Sequence, residues 1–129
     1  TGIGCGGSFG TPALVFSGVP FLGNQNFRCG IMNAAQNRFC MLAVSAAGAF
    51  APVAGSCNLL VDPNQILLQP VLVTNAQGRA IAALPVPSTQ ALIGLQVHMQ
   101  WGVDDPQGAP WLFLGGLAMT RKGIATLGI

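Results

Sequence analysis

The sequence predicts an all-β fold, a single antiparallel, jelly-roll-like β-sandwich of about eight or nine strands that spans residues 1–129. Apolar runs of about five to ten residues alternate with short clusters of Gly, Pro, Asn and Asp, a pattern typical of many-stranded sandwiches and barrels. Helix is weakly supported. Only residues 33–36 and 46–51 leave room for a short helical turn, and Gly48 and Pro52 interrupt the second of these.

Clusters of turn-forming residues set the limits of the candidate strands in chain order. Asp62-Pro63-Asn64 separates two apolar runs, and the stretch from Asp104 to Gly108 is expected to be a turn between two long strands. The candidate strands are Ala13–Ser17, Asn26–Asn33, Arg38–Ala46, Cys57–Val61, Ile66–Thr74, Arg79–Pro85, Leu92–Trp101, Trp111–Thr120 and a short Gly123–Leu127.

Residues 95–101 alternate strictly between apolar and polar side chains, which predicts a half-buried strand. The expected core set is Leu95, Val97, Met99 and Trp101, and the set expected to face solvent is Gln96, His98 and Gln100. A wider sample of the expected core is Leu14, Phe16, Phe27, Leu42, Val44, Leu59, Val61, Leu95, Val97, Leu112, Leu114 and Leu117.

The four cysteines predict two disulfides rather than a metal site, because no pair has the C-x-x-C spacing of zinc or redox sites. If the segments on either side of residues 33–36 form a hairpin, Cys29 and Cys40 lie opposite each other, which leaves Cys5 to pair with Cys57. Disulfides persist in oxidising compartments, so the expected location is extracellular or at the cell surface.

Only 6% of the residues are charged, against about 25% in typical soluble proteins. The five basic residues are scattered, so the sequence predicts neither nucleic-acid binding nor a polybasic membrane contact. No apolar stretch approaches the ~20 residues of a membrane-spanning helix. So few charges provide little repulsion between copies, which favours a protein that is covered by partners or assembled.

Two groups of turn and core residues resemble a known domain family. The first runs from Gly2-Ile3-Gly4-Cys5-Gly6-Gly7 to Thr11-Pro12 and continues through Gly18-Val19-Pro20-Phe21-Leu22-Gly23-Asn24 and Phe27; the second comprises Ala91 to Leu95, Gln100, Asp104 and Gly115 to Ala118. They resemble an uncharacterised extracellular β-domain that recurs in secreted proteins of planctomycetes and myxobacteria. The resemblance spans nearly the whole chain and implies fold and location but no activity, and Cys29 and Cys40 are additions to its pattern.

The residues suited to catalysis are too few to predict an enzyme. There is one histidine, His98, with three aspartates and no glutamate, and no serine lies in a G-x-S-x-G setting. Gly2-x-Gly4-x-x-Gly7 matches the dinucleotide-binding spacing, but it lacks the preceding strand and the following helix that this site needs. We therefore expect no catalytic residue, no cofactor and no metal, and a flexible turn around the first cysteine.

Trp101, Trp111 and the intervening Asp104-Asp105 form the one candidate ligand site. Two indole rings that flank a loop can stack on a sugar, and the carboxylates can add polar contacts or, less readily, contribute to a calcium site. Core packing of the tryptophans and turn formation by the aspartates are the ordinary alternatives. A secreted carbohydrate-binding or adhesive module is accordingly the alternative function.

The leading functional hypothesis is a structural protein that self-associates into an extracellular fibre, surface layer or matrix. It rests on the low charge, the high hydropathy and the abundance of neutral amides. Unpaired strand edges provide one route of association, with residues 1–10 or 123–129 donated to a neighbouring copy. The expected partner is therefore a homo-oligomer or polymer of this chain.

Overall fold

The computed structural model describes residues 4–54, 57–111 and 114–128, without the side chains at 54, 110, 111, 114 and 115. The fold is all-β and antiparallel, as predicted, but eleven strands are described where eight or nine were expected. They are β1 Ala13–Ser17, β2 Arg28–Met32, β3 Phe39–Ser45, β4 Gly48–Ala54, β5 Cys57–Val61, β6 Ile66–Leu68, β7 Val71–Val73, β8 Ala80–Ala83, β9 Gln96–Trp111, β10 Leu114–Met119 and β11 Gly123–Thr126.

The strands form a six-stranded central sheet, a three-stranded sheet and a two-stranded hairpin. In the central sheet, β9 pairs with β3 on one side and with β10 and β11 on the other, while β6 and β7 both pair with the far edge of β3. The three-stranded sheet has the order β1-β2-β8. The hairpin consists of β4 and β5. Two single-turn 3-10 segments, Pro63–Gln65 and Gln90–Leu92, are the only helices in the described chain, and neither is long enough to cross a membrane.

The main hydrophobic core lies between the central sheet and the three-stranded sheet. Alternate residues of β9 and β3 point into it, and Trp101 and Leu42 are directly paired and fully buried there. The three-stranded sheet contributes Cys29 and Ile31 from β2 and Ala82 from β8. The alternation predicted for residues 95–101 is therefore confirmed on its apolar side.

The opposite face of the central sheet is half covered by the β4–β5 hairpin. Leu117 and Met119 of β10 are buried there in a second, smaller cluster together with Cys5 and Cys57. Gln100, which the alternation predicts to face solvent, lies on this covered face and is only 1% exposed. A third layer therefore buries polar positions that a two-layer sandwich would leave in water.

Several predictions differ from the structure. Within the predicted helical turn 46–51, residues 48–51 belong to strand β4, and the predicted strand 66–74 is divided at Pro70, which has no N–H to donate to the ladder. Residues 104–108 continue β9 instead of forming a turn. Phe16 of β1, placed in the core by its apolar run, is 40% exposed because it lies in an edge strand of the smaller sheet.

The disulfide prediction is confirmed for one pair and wrong for the other. Cys5 and Cys57 are bonded, whereas Cys29 and Cys40 are buried free thiols. The expected hairpin does not form, since the segment after β2 crosses from the smaller sheet to the central one. Cys29 therefore pairs in register with Phe16 and Ala82, and Cys40 pairs with residues of β7 and β9. Asn33 and Asn37 provide left-handed backbone at the crossing, with φ of 57° and 53°.

Candidate functional site

The predicted sugar platform does not assemble around Trp101. This residue has no exposed surface, because its ring points from β9 into the core between the two sheets. Trp111 ends β9, and its side chain lies outside the described residues. Trp101 is therefore a core packing residue. Core packing is the alternative to a sugar platform that the sequence leaves open.

Asp105 anchors the start of the chain. Its two carboxylate oxygens accept hydrogen bonds from the Ser8 backbone N–H at 2.7 Å and the Ser8 hydroxyl at 2.6 Å, and one of them also accepts from the Gln107 N–H at 2.9 Å. Burial alone would raise the pKa of Asp105. The hydrogen bonds from Ser8 and Gln107, with a smaller contribution from Arg38, outweigh burial and hold the pKa below its usual value. The Asp105 carboxylate therefore stabilises the fold through hydrogen bonds within the chain.

Two glycines allow the amino-terminal segment to lie against the central sheet. A Cβ atom on Gly7 would collide with the Asp105 carboxylate, and one on Gly4 would collide with the Met119 carbonyl oxygen. The adjacent Cys5 exchanges both backbone hydrogen bonds with Met119. The glycines in the described part of this segment therefore permit close backbone approach, and residues 4–8 are held by a disulfide and several hydrogen bonds.

Asp104 faces the opposite way from the core and pairs with Arg38 across 3.7 Å. The Arg38 side chain is 44% exposed, so this ion pair contributes little to stability. Asp104 and Asp105 alternate along one strand and have separate partners. Within the described residues, no group of three or more His, Cys, Asp and Glu side chains lies close enough to hold a metal ion.

His98 lies on the covered face of β9, near Lys122 and Gly48. Its pKa is lowered, first by burial and then by repulsion from the Lys122 ammonium. The Nδ1 atom is buried and has no hydrogen-bond partner among the described residues. The described hydrogen bonds of Ser8 and Ser45 go elsewhere, to Asp105 and to the Asp62 carbonyl oxygen. These contacts place neither serine in a hydrogen-bonded catalytic arrangement with His98.

The two free thiols are shielded by the core. Burial raises the pKa of Cys29 to about 12, against a smaller opposite effect of the Trp101 indole, and raises the pKa of Cys40 to about 11, against a hydrogen bond with the Leu72 backbone. Because the thiolate is the reactive form, both groups are protonated and unreactive near neutral pH.

We therefore expect a thiol reagent such as DTNB to label no cysteine in the native protein and two in urea without reductant. The native result follows from burial and the raised pKa values of Cys29 and Cys40, and the count of two follows from the Cys5–Cys57 bond. Counting the released chromophore before and after unfolding tests both. A count of zero in urea would show that Cys29 and Cys40 are also bonded, and rapid native labelling would contradict their burial.

An open apolar surface occupies the uncovered half of the central sheet's outer face. We call it the outer patch and define it as Phe39 and Met41 of β3 with Val71 and Val73 of β7. Phe39 lies directly opposite Val73, and Met41 directly opposite Val71, so the four side chains share one face. All four are exposed, with fractions from 40% to 65%. Sequence reasoning missed this patch, although its signal is visible, since both β3 and β7 are apolar on both faces.

Comparison of the chain with protein-family models, with curated proteins and with solved structures finds no match.

Proposed function

We propose that this protein is a non-catalytic structural protein that self-associates outside the cell through apolar and neutral polar contacts. The outer patch is the observation that carries the proposal. Contiguous apolar patches on the surface of soluble proteins are often functional, and large ones mark interaction sites. The Cys5–Cys57 disulfide is compatible with an oxidising, extracellular location.

The chemistry of the patch suits contact with another apolar surface. Its four members are all uncharged, and Gly102 beside Met41 adds no side chain that would keep a second surface away. The Arg38–Asp104 ion pair stands at its edge and is neutral overall. Apolar sheet faces of this kind bury each other in β-sandwich packing, and burial contributes roughly 25 cal/mol per Å².

Face-to-face packing fits this fold better than donation of a chain end. Cys5 and Ser8 hold the described part of the first ten residues, and Ala125 and Leu127 of the tail are buried. The sheet edge at β6 and β7 is short and is interrupted by Pro70, which limits pairing with a neighbouring strand. The outer patch therefore replaces the termini as the proposed contact.

We expect the double variant Phe39→Thr/Val73→Thr to associate at least about tenfold more weakly than the wild type. Each substitution removes exposed apolar area that self-association would bury, while threonine keeps the β propensity of the position. Sedimentation velocity over a concentration series, with light scattering and electron microscopy of the native material, measures the effect.

The matched control is Ile81→Thr. Ile81 is 63% exposed and lies on β8 of the other sheet, away from the outer patch, so its loss should leave association unchanged. A wild-type protein that stays monodisperse and monomeric at high concentration would refute self-association. Equal weakening by Ile81→Thr would refute the outer patch as the contact.

A further inference from the structure

A cavity of about 520 Å³ opens between the two main sheets at the end where β6 and β8 end. Buried core residues form its floor, among them Phe27, Val44, Val97 and Met99. Leu67 and Leu68 of β6 lie at its mouth and are each 52% exposed. The cavity is therefore a gap in the packing between the sheets that is open to solvent.

The lining is entirely apolar in side-chain character. All of its fourteen described lining residues are Phe, Val, Leu, Met, Ala or Pro. Pro85 and Pro87 beside the mouth have no backbone N–H, which removes two further hydrogen-bond donors. No described side chain is placed to bind a charged or strongly polar group inside this space.

We propose that this inter-sheet cavity binds the hydrocarbon chain of an uncharged straight-chain amphiphile, whose polar end remains in solvent at the mouth. The volume lies within the roughly 300–1,000 Å³ of small-molecule sites. It is also well above the roughly 150 Å³ at which an apolar cavity in another protein accepts benzene. Protein interiors are otherwise close-packed, so a chain that fills the gap completes the core.

The geometry of β6 identifies a residue that controls access. Leu68 pairs directly with Val44, and paired residues point to the same face of a sheet. Val44 belongs to the main core, so the side chain of Leu68 is directed toward the space between the sheets. Replacing Leu68 by tryptophan should place an indole in the mouth of the cavity.

Titration calorimetry with the primary alcohols from 1-hexanol to 1-decanol tests the proposal on the whole chain. Affinity should rise about fourfold for each added methylene until the cavity is filled and then level off. The thermal unfolding midpoint should rise with alcohol binding, since the ligand binds the folded state. Octanoate should bind no more tightly than 1-octanol, because no described cation lines the cavity.

Leu68→Trp should weaken binding of 1-octanol at least about tenfold. Ile81→Trp is the matched control, since it adds the same ring to an exposed residue outside both this cavity and the outer patch, and it should bind normally. Leu92→Trp provides a second blocking variant if Leu68→Trp shows an altered circular dichroism spectrum. Affinity that is absent, that does not depend on chain length, or that falls equally in Ile81→Trp would overturn the proposal, and much tighter octanoate binding would refute the uncharged class.

This inference does not rest on self-association. The outer patch and the cavity lie on opposite sides of the central sheet and share no lining residue. Light scattering of Leu68→Trp should therefore match that of the wild type, so the two proposals fail separately.

Discussion

Replacement of both Cys5 and Cys57 by alanine should lower the free energy of unfolding by about 4 kcal/mol. The disulfide joins residues 52 positions apart, and in the chain-entropy account the lost constraint on the unfolded chain has this size for a loop of such length. Both sulfur atoms also lie near the Leu117 carbonyl oxygen in the second core cluster, so the bond fastens the β4–β5 hairpin and the amino-terminal segment to β10. Urea unfolding followed by circular dichroism measures the change.

Cys29→Ala is the control for this experiment. It also removes one buried sulfur, but it cuts no cross-link, so we expect a loss of only about 1 kcal/mol. Reduced wild-type protein should resemble the double variant. If the double variant unfolds within about 1 kcal/mol of the wild type, the constraint on the unfolded chain is not what the bond contributes.

Gln100→Leu should destabilise the fold by about 3 kcal/mol, although it places a more apolar side chain at a buried position. The Gln100 amide accepts a hydrogen bond from the Leu60 N–H at 2.9 Å and donates to the carbonyl oxygens of Asn58 and Thr120, both at 3.0 Å. Leucine removes these three contacts at once, and a buried backbone group left without its partner costs about 1–3 kcal/mol.

Gln96→Leu is the matched control, because Gln96 lies on the same strand and is exposed. It should change the free energy of unfolding by less than about 0.5 kcal/mol. Chemical denaturation of both variants gives the comparison. A Gln100→Leu protein that is as stable as Gln96→Leu would show that the hairpin does not depend on this amide.

The strands that could be predicted are those whose ends are set by neighbouring Pro, Gly or Asp residues. The limits of β1 and β5 match the expected segments, since Pro12 and Gly18 bound the first and Asp62 ends the second. The strand β4 was missed because Gly48 and Pro52 both argue against regular structure. Their cost is tolerated in a two-stranded hairpin, where Pro52 is not in the middle of a sheet.

The surroundings of Asp104 and Asp105 could not be predicted from the sequence, because they depend on strand pairing between distant residues. Asp104 and Asp105 have strong turn chemistry, yet β9 continues through them and absorbs extra residues as a bulge opposite β10. Gly108 and Gly116 allow this, since a Cβ on either would collide with the backbone opposite. No local sequence pattern predicts such a bulge.

The burial of Gln100 and the free thiols have a similar origin. Alternation identifies which residues share a face, but it does not show whether a third layer covers that face. The pairing of Cys29 with Cys40 assumed that adjacent strands form a hairpin, and the chain instead changes sheets between them. Of the two predicted disulfides, only Cys5–Cys57 is confirmed, although its prediction rests on elimination.

The position of β9 governs the order in which this chain can fold. The central sheet joins residues near position 40 to residues near position 100, so it cannot close during synthesis until the residues of β9 have been made. Strand pairings that close such long loops form slowly, because the chain loses entropy on loop closure before the stabilising contacts are made. Cys5 and Cys57 both precede β9, and an oxidant that acts early can join them while the sheet still lacks its middle strand. The covalent loop then encloses β1 to β4 before the slow step begins.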